Sequence, residues 1–154
     1  MTKRASTARE SPLTHYRNVD LDVYAAAPLD GLVQALGDGA LVLYVGGGRR
    51  RHEAHLELAS SHMDMSADDT ILGLIQLLRR LPRIHRQTWN SAKRREFNVG
   101  IEAGLEPHGF ELRLQHKTVK AIADVGGILA ITVYAPDRGG RRSVQPRRKR
   151  RRLP

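Results

Sequence analysis

Residues 19–24 read Val-Asp-Leu-Asp-Val-Tyr, and this stretch decides the fold because apolar and polar residues alternate through it without a break. In an extended chain, the three apolar residues lie on one side, and Asp20, Asp22 and Tyr24 lie on the other. A period of two predicts a β-strand with one face buried. A sheet built from such strands has one covered face and one open face.

The same alternation, or a short apolar run, recurs five times further along the chain. These stretches predict strands at residues 40–45, 53–58, 97–101, 110–114 and 128–134. In the alternating strands, the residues expected to face inward are Ala54, Leu56, Leu58, Phe97, Val99, Ile101, Phe110, Leu112 and Leu114.

Helical signals separate these strands. The first predicted helix covers residues 29–36 and ends at Gly37, and the last covers residues 117–125 and ends at Gly126. Between them, a helix begins after Ser66, its N-cap, and ends near Pro82. A weaker helical stretch covers residues 84–95. The order predicts an α+β, ferredoxin-like two-layer sandwich, with a mainly antiparallel sheet of about six strands and two to three helices on one face.

Four segments carry a resemblance to a known class of domain: Asn18-Val-Asp-Leu-Asp-Val-Tyr24, Leu36-Gly37, Trp89 and Val125-Gly126-Gly-Ile-Leu-Ala-Ile-Thr-Val-Tyr134. Over residues 18–134 the chain resembles small bacterial domains of unknown function with ferredoxin-like α+β organisation. The resemblance implies a fold and no established activity, so it carries over no catalytic residue.

The charge of the chain lies at its two ends. The formal net charge is +10, and the last seventeen residues alone carry nine Lys or Arg and no acid. Residues 1–17 are also basic, whereas residues 18–137 are slightly acidic. We therefore predict a disordered basic segment at 1–17, a single α+β domain at 18–137 and a disordered basic tail at 138–154.

The tail is a candidate polyanion-binding segment. A run that neutralises six or more phosphates binds nucleic acid tightly, without sequence preference and with a steep salt dependence. Two alternatives stay open: a solvated tail that binds polyanions only incidentally, and a tail that folds back on acidic residues of the domain. The candidate residues are Arg141, Arg142, Arg147, Arg148, Lys149, Arg150, Arg151 and Arg152.

The open sheet face is the second candidate site. Glu53, His55 and Glu57 share a face of their strand, and the first and third strands are neighbours in a ferredoxin-like sheet. This arrangement predicts an acidic partner-docking face made of Asp20, Asp22, Tyr24, Glu53, His55 and Glu57. The alternatives are an ordinary solvated face and a carboxylate–imidazole cation site. RNA binding on this face is disfavoured, because carboxylates would repel phosphate.

Other motifs point away from catalysis. The chain has no cysteine and no Gly-x-Ser-x-Gly elbow, and His52 and His55 have the wrong spacing for the zinc-protease helix. Gly46-Gly-Gly-Arg-Arg-Arg51 could cradle a phosphate, but it lacks the ending of a nucleotide-binding loop, so a hairpin turn is favoured.

Together these features predict a cytoplasmic, non-catalytic protein-binding module, regulatory or adaptor in role, that binds a protein partner through its sheet face or an exposed strand edge. The alternative is a nucleic-acid-associated protein anchored by its basic C-terminal tail. We expect no cofactor, no metal and no membrane contact, and a monomer or homodimer.

Overall fold

The computed structural model describes residues 13–62 and 64–136 of the chain. Within these residues it contains five strands and four α-helices. In chain order they are β1 (His15–Ala25), α1 (Asp30–Leu36), β2 (Ala40–Gly48), β3 (Arg51–Leu58), α2 (Ala67–Arg79), α3 (Arg83–Ser91), β4 (Arg94–Glu102), α4 (His116–Asp124) and β5 (Ile128–Tyr134).

The five strands form one mixed sheet in the order β2-β3-β1-β4-β5. The central strand β1 is antiparallel to both of its neighbours, β3 and β4. Strand β2 is antiparallel to β3, whereas β5 runs parallel to β4. The edges of the sheet are therefore β2 and β5.

The core lies on one face of the sheet. Val19, Leu21 and Val23 of β1 are at most 1% exposed, as the alternation of residues 19–24 predicts. All four helices contribute side chains to the same core cluster, including Leu32, Ile71, Trp89 and Ile122. The protein is therefore an α+β structure whose helices cover one face of the sheet.

Specific polar contacts fix the helix ends and join two of the helices. The Ser66 hydroxyl accepts a hydrogen bond from the Asp69 amide at 3.1 Å, which confirms the predicted N-cap of α2. A carboxylate oxygen of Asp68 accepts hydrogen bonds from the Gln115 amide and the Thr118 hydroxyl. Because Thr118 is fully buried, this contact holds the start of α4 against the start of α2.

The prediction of a strand at residues 110–114 is wrong, so the sheet has five strands rather than about six. Phe110 is 39% exposed, whereas Leu112 and Leu114 are partly buried against the core. The edge of β4 that a hairpin strand would need is occupied by β5. Two leucines that pack against the core at positions two apart give the period of a strand, although the segment that carries them pairs with none of the described strands.

Two further boundaries differ from the prediction. Residues 15–17 belong to β1 and not to an N-terminal disordered segment, since His15 and Tyr16 pair with β4. Four helices replace the predicted two to three, because the weaker helical stretch predicted at 84–95 forms a regular helix, Arg83–Ser91, that starts after Pro82. Residues 1–12 and 137–154, which contain the candidate tail residues from Arg141 to Arg152, lie outside the described residues.

None of the helices in the described part of the chain is long and apolar enough to cross a membrane.

Candidate functional site

The side of the sheet that faces away from the helices carries the predicted docking residues, and we call it the outer face. Most of its side chains come from β1, β3 and β4. The six predicted residues meet here because β1 and β3 are neighbours, with Asp20 opposite Glu57, Asp22 opposite His55 and Tyr24 opposite Glu53.

Strand β4 extends this surface on the other side of β1. Asn98 lies opposite Asp20, Glu96 opposite Asp22, and Arg94 opposite Tyr24. The outer face thus carries five carboxyl groups at neighbouring positions of β1, β3 and β4, and Arg94 pairs with one of them, Glu96. The carboxyl groups belong to Asp20, Asp22, Glu53, Glu57 and Glu96.

Asp20 and Glu57 form a carboxyl pair at one end of this surface. The Asn18 side-chain amide donates to both of them, at 2.8 Å to Asp20 Oδ1 and 2.7 Å to Glu57 Oε1. Burial raises the pKa of Asp20 to about 7, and the hydrogen bond and charge of Glu57 act in the same direction. The pair therefore holds a proton below about pH 7.

Asp22 and His55 form a second pair at the centre of the face. His55 Nδ1 lies 2.6 Å from Asp22 Oδ1, while His55 Nε2 lies 4.0 Å from Glu53 Oε2. Asp22 is 8% exposed and is the most deeply buried carboxylate of the group. A carboxylate on one ring nitrogen fixes the orientation of the imidazole and leaves the other nitrogen directed to the surface.

Aromatic rings border the two pairs. The Tyr24 ring meets His55 edge-on at 5.8 Å between centroids, and the Tyr44 ring lies 5.9 Å from the same imidazole. The Arg94 guanidinium stacks over Tyr24 at 3.9 Å and pairs with Glu96 at 3.3 Å. These contacts hold the aromatic rings in place at one end of the outer face.

Sequence reasoning missed Asn18 of β1, and it missed the residues that β2 and β4 bring to this surface: Tyr44, Arg94, Glu96 and Asn98. The signal for Glu96 and Asn98 was present, since they alternate with the buried Phe97 and Val99. What the sequence lacked was the position of β4 beside β1, which only the strand order supplies.

The outer face combines carboxyl groups with aromatic rings. Among the described residues, no group of three or more His, Asp or Glu has the geometry to hold a metal ion. Within residues 13–62 and 64–136, His55 also has no serine or threonine hydroxyl as a hydrogen-bond partner, which a nucleophile–base arrangement would need.

Both edge strands carry apolar side chains that are more than one-third exposed. On β2 they are Leu41, Val42, Leu43 and Tyr44, and on β5 they are Ile128, Leu129, Ile131, Val133 and Tyr134. Edge strands with apolar side chains are templates for pairing with another chain.

The raised pKa of Asp20 leads to a pH-dependence prediction. Between the ordinary value of 3.8 and the folded value of about 7, the folded protein binds a proton that the unfolded chain has lost. The free energy of unfolding should therefore fall as the pH rises through this window, and the loss is complete above it. Asp20→Asn should remove this decline and stabilise the protein by about 1 kcal/mol at pH 8, because it keeps a hydrogen-bond donor for Glu57 without a charge.

Urea unfolding from pH 4.5 to 8.5 measures this effect. The matched control is Asp38→Asn, which neutralises an exposed carboxylate in the turn after α1. An unchanged decline in Asp20→Asn would show that the proton is not held at this pair.

No family model, no curated protein and no solved structure matches this chain.

Proposed function

We propose that this protein is a non-catalytic docking module whose outer face binds a basic segment of a protein partner. The observation that carries the proposal is the cluster of five carboxyl groups on three adjacent strands, of which Glu96 pairs with Arg94. Such a surface complements Lys and Arg side chains and excludes acidic partners and nucleic acid.

The pairs on the outer face favour recognition of a cation over solvation alone. Asp22 is buried and oriented by His55, and Asp20 shares a hydrogen-bonded contact with Glu57 through Asn18. Preorganised carboxylates lose little conformational entropy when a guanidinium or ammonium group arrives. Tyr24 and Tyr44 add rings on which an arginine stacks.

The fold supports a more specific description. We propose that β1 to β4 form a ferredoxin-like core to which α4 and β5 are added. In support, β3 lies between the parallel strands β1 and β2, and β4 lies on the far side of β1. Kinship with small bacterial domains of unknown function and a cytoplasmic location belong to the same proposal, and they rest on the sequence.

The basic tail supports a second candidate function. Nine Lys or Arg and no acid in residues 138–154 favour a nucleic-acid-associated protein in which the tail holds the polyanion and the domain holds a protein partner. The two functions are separable, because the outer face is acidic and the tail is basic.

Site-specific photo-crosslinking in cells that naturally make the protein tests the docking proposal. A photo-crosslinking amino acid is placed at Ala130, which lies beside Asn98 on the outer face, or at Gln87, which is exposed on α3. We expect a protein adduct from Ala130 and none from Gln87, and we expect mass spectrometry to find the adduct at a segment rich in Lys and Arg.

A neutral-face variant supplies the specificity control. It combines Asp20→Asn, Glu57→Gln and Glu96→Gln, and it should reduce the adduct about tenfold or more, since it removes the charges that the partner meets. The matched control combines Asp38→Asn, Glu106→Gln and Glu111→Gln, three exposed carboxylates elsewhere. No adduct at Ala130, or equal adducts from Ala130 and Gln87, would contradict the docking function.

A further inference from the structure

A cavity lies at the end of the sheet where β1 finishes and the β2–β3 hairpin turns. Its volume is about 570 Å³, which is within the range of small-molecule sites in proteins. Tyr24 and Tyr44 form its aromatic side, and Arg50, Arg51 and Lys93 supply its cations. The docking function proposed for the outer face makes no use of these cations.

The hairpin turn that leads to Arg50 and Arg51 has an unusual backbone. Gly48 pairs with Arg51, so Arg49 and Arg50 are the two central residues, and both have positive φ, at 48° and 64°. Such turns favour Asn and Gly, because a residue with a Cβ is disfavoured in the left-handed region. The chain has three glycines directly before the turn, yet it places arginines at the two strained positions, and one of them, Arg50, lines the cavity. Strain of this kind clusters at binding sites.

The glycines of the hairpin have a different part in the cavity. A Cβ at Gly46 would lie 2.7 Å from the Tyr44 hydroxyl oxygen, and a Cβ at Gly47 would lie 2.1 Å from the Arg51 carbonyl oxygen. Gly46 therefore lets the phenol of Tyr44 fold across the backbone. Gly47, with a φ of 130°, lets the two strands approach closely at the turn.

The electrostatics of the cavity are opposite to those of the adjacent carboxylates. Arg50, Arg51 and Lys93 are the cationic side chains, and Glu53 is the one carboxylate, among the lining residues. Within residues 13–62 and 64–136, none of these three cations forms an ion pair with a carboxylate. Guanidinium groups bind phosphate oxygens in a bidentate manner, which an ammonium group supplements as a point charge.

We propose that this cavity binds a phosphomonoester that carries an aromatic ring, with the phosphate on Arg50, Arg51 and Lys93 and the ring against Tyr24 and Tyr44. A bare phosphate would leave most of the cavity and both tyrosine rings unused. A nucleoside monophosphate and a phosphotyrosine side chain share the required chemistry, a dianion joined to a flat ring.

The test is a ¹H–¹⁵N NMR titration of the full chain at physiological salt with AMP, N-acetyl-phosphotyrosine amide, adenosine and inorganic phosphate. We expect saturable shifts at the amides of residues 47–53, Tyr24 and Lys93 with AMP or with the phosphotyrosine compound, and the stronger of the two identifies the source. Inorganic phosphate and adenosine should each bind at least about tenfold more weakly. Equal affinity for inorganic phosphate, or shifts confined to residues 138–154, would overturn the proposal.

Charge-matched variants test the assignment to the cavity. Arg50→Gln/Arg51→Gln should weaken binding at least about tenfold, whereas Arg79→Gln/Arg80→Gln, which removes an adjacent pair of exposed arginines at the end of α2, should not change it. In addition, Arg49→Gly/Arg50→Gly should raise the unfolding temperature while it weakens binding, because glycine relieves the positive φ. Unchanged binding in both hairpin variants would also overturn the proposal.

Discussion

Phe97→Ala is expected to lower the free energy of unfolding by about 3–5 kcal/mol, the largest stability effect of any single change considered for this chain. Phe97 is fully buried on β4, between the central strand and β5. It also packs against Gly127 and Ile122, since a Cβ at Gly127 would lie 2.7 Å from the Phe97 ring. Truncation leaves a cavity at the point where the sheet, α4 and the final turn meet, and denaturant unfolding followed by Trp89 fluorescence measures the loss.

Phe110→Ala is the matched control, because the chain contains only two phenylalanines and the sequence pattern places both inward. Phe110 is 39% exposed in the loop before α4, so its truncation should cost less than about 1 kcal/mol. If Phe97→Ala prevents folding, Phe97→Leu gives a smaller loss in the same direction. Equal losses at the two positions would contradict the five-stranded sheet and favour a sixth strand at residues 110–114.

The second large effect concerns nucleic acid. Replacing the six basic residues from Arg147 to Arg152 by serine in the full chain is expected to weaken binding to a labelled DNA duplex about 100-fold or more at about 0.1 M salt. The slope of log K against log salt should fall by about 5, since each neutralised phosphate contributes about 0.9. Fluorescence anisotropy over a salt series measures both quantities.

The neutral-face variant separates the tail from the domain. It should leave DNA binding unchanged within about twofold, or strengthen it slightly, because it removes negative charge. A serine-tail variant that still bound DNA at physiological salt would show that the domain itself reads nucleic acid. That result would favour the nucleic-acid-associated function over the docking function.

Most of the fold could be predicted because strong local signals agree with the final packing. Alternation at residues 19–24 and 53–58 gives the buried faces of β1 and β3, and the Ser66 cap gives the start of α2. The sixth strand failed because Leu112 and Leu114 repeat with the same period while packing as a loop. No local pattern distinguishes a leucine in a paired strand from a leucine in a loop that packs against the core.

The candidate site was predictable for the same reason and only to the same extent. Asp20 and Asp22 share a face of β1 because side chains alternate along a strand. His55 is expected beside them because the predicted topology makes β1 and β3 neighbours. Long-range pairing decides the rest: Glu96 and Arg94 enter the site only because β4 runs beside β1. The proton on Asp20 and the positive φ of Arg49 and Arg50 depend on atomic contacts that a sequence pattern does not contain.

The most direct test of the central claim, that the outer face binds a basic protein segment, is the Kd of the crosslinked partner peptide measured by calorimetry. The peptide is titrated into the full chain, the neutral-face variant and the control with Asp38, Glu106 and Glu111 neutralised. We expect a Kd at least about tenfold weaker for the neutral-face variant and unchanged for the control. Equal Kd values for all three proteins would contradict it and move the binding surface away from the outer face.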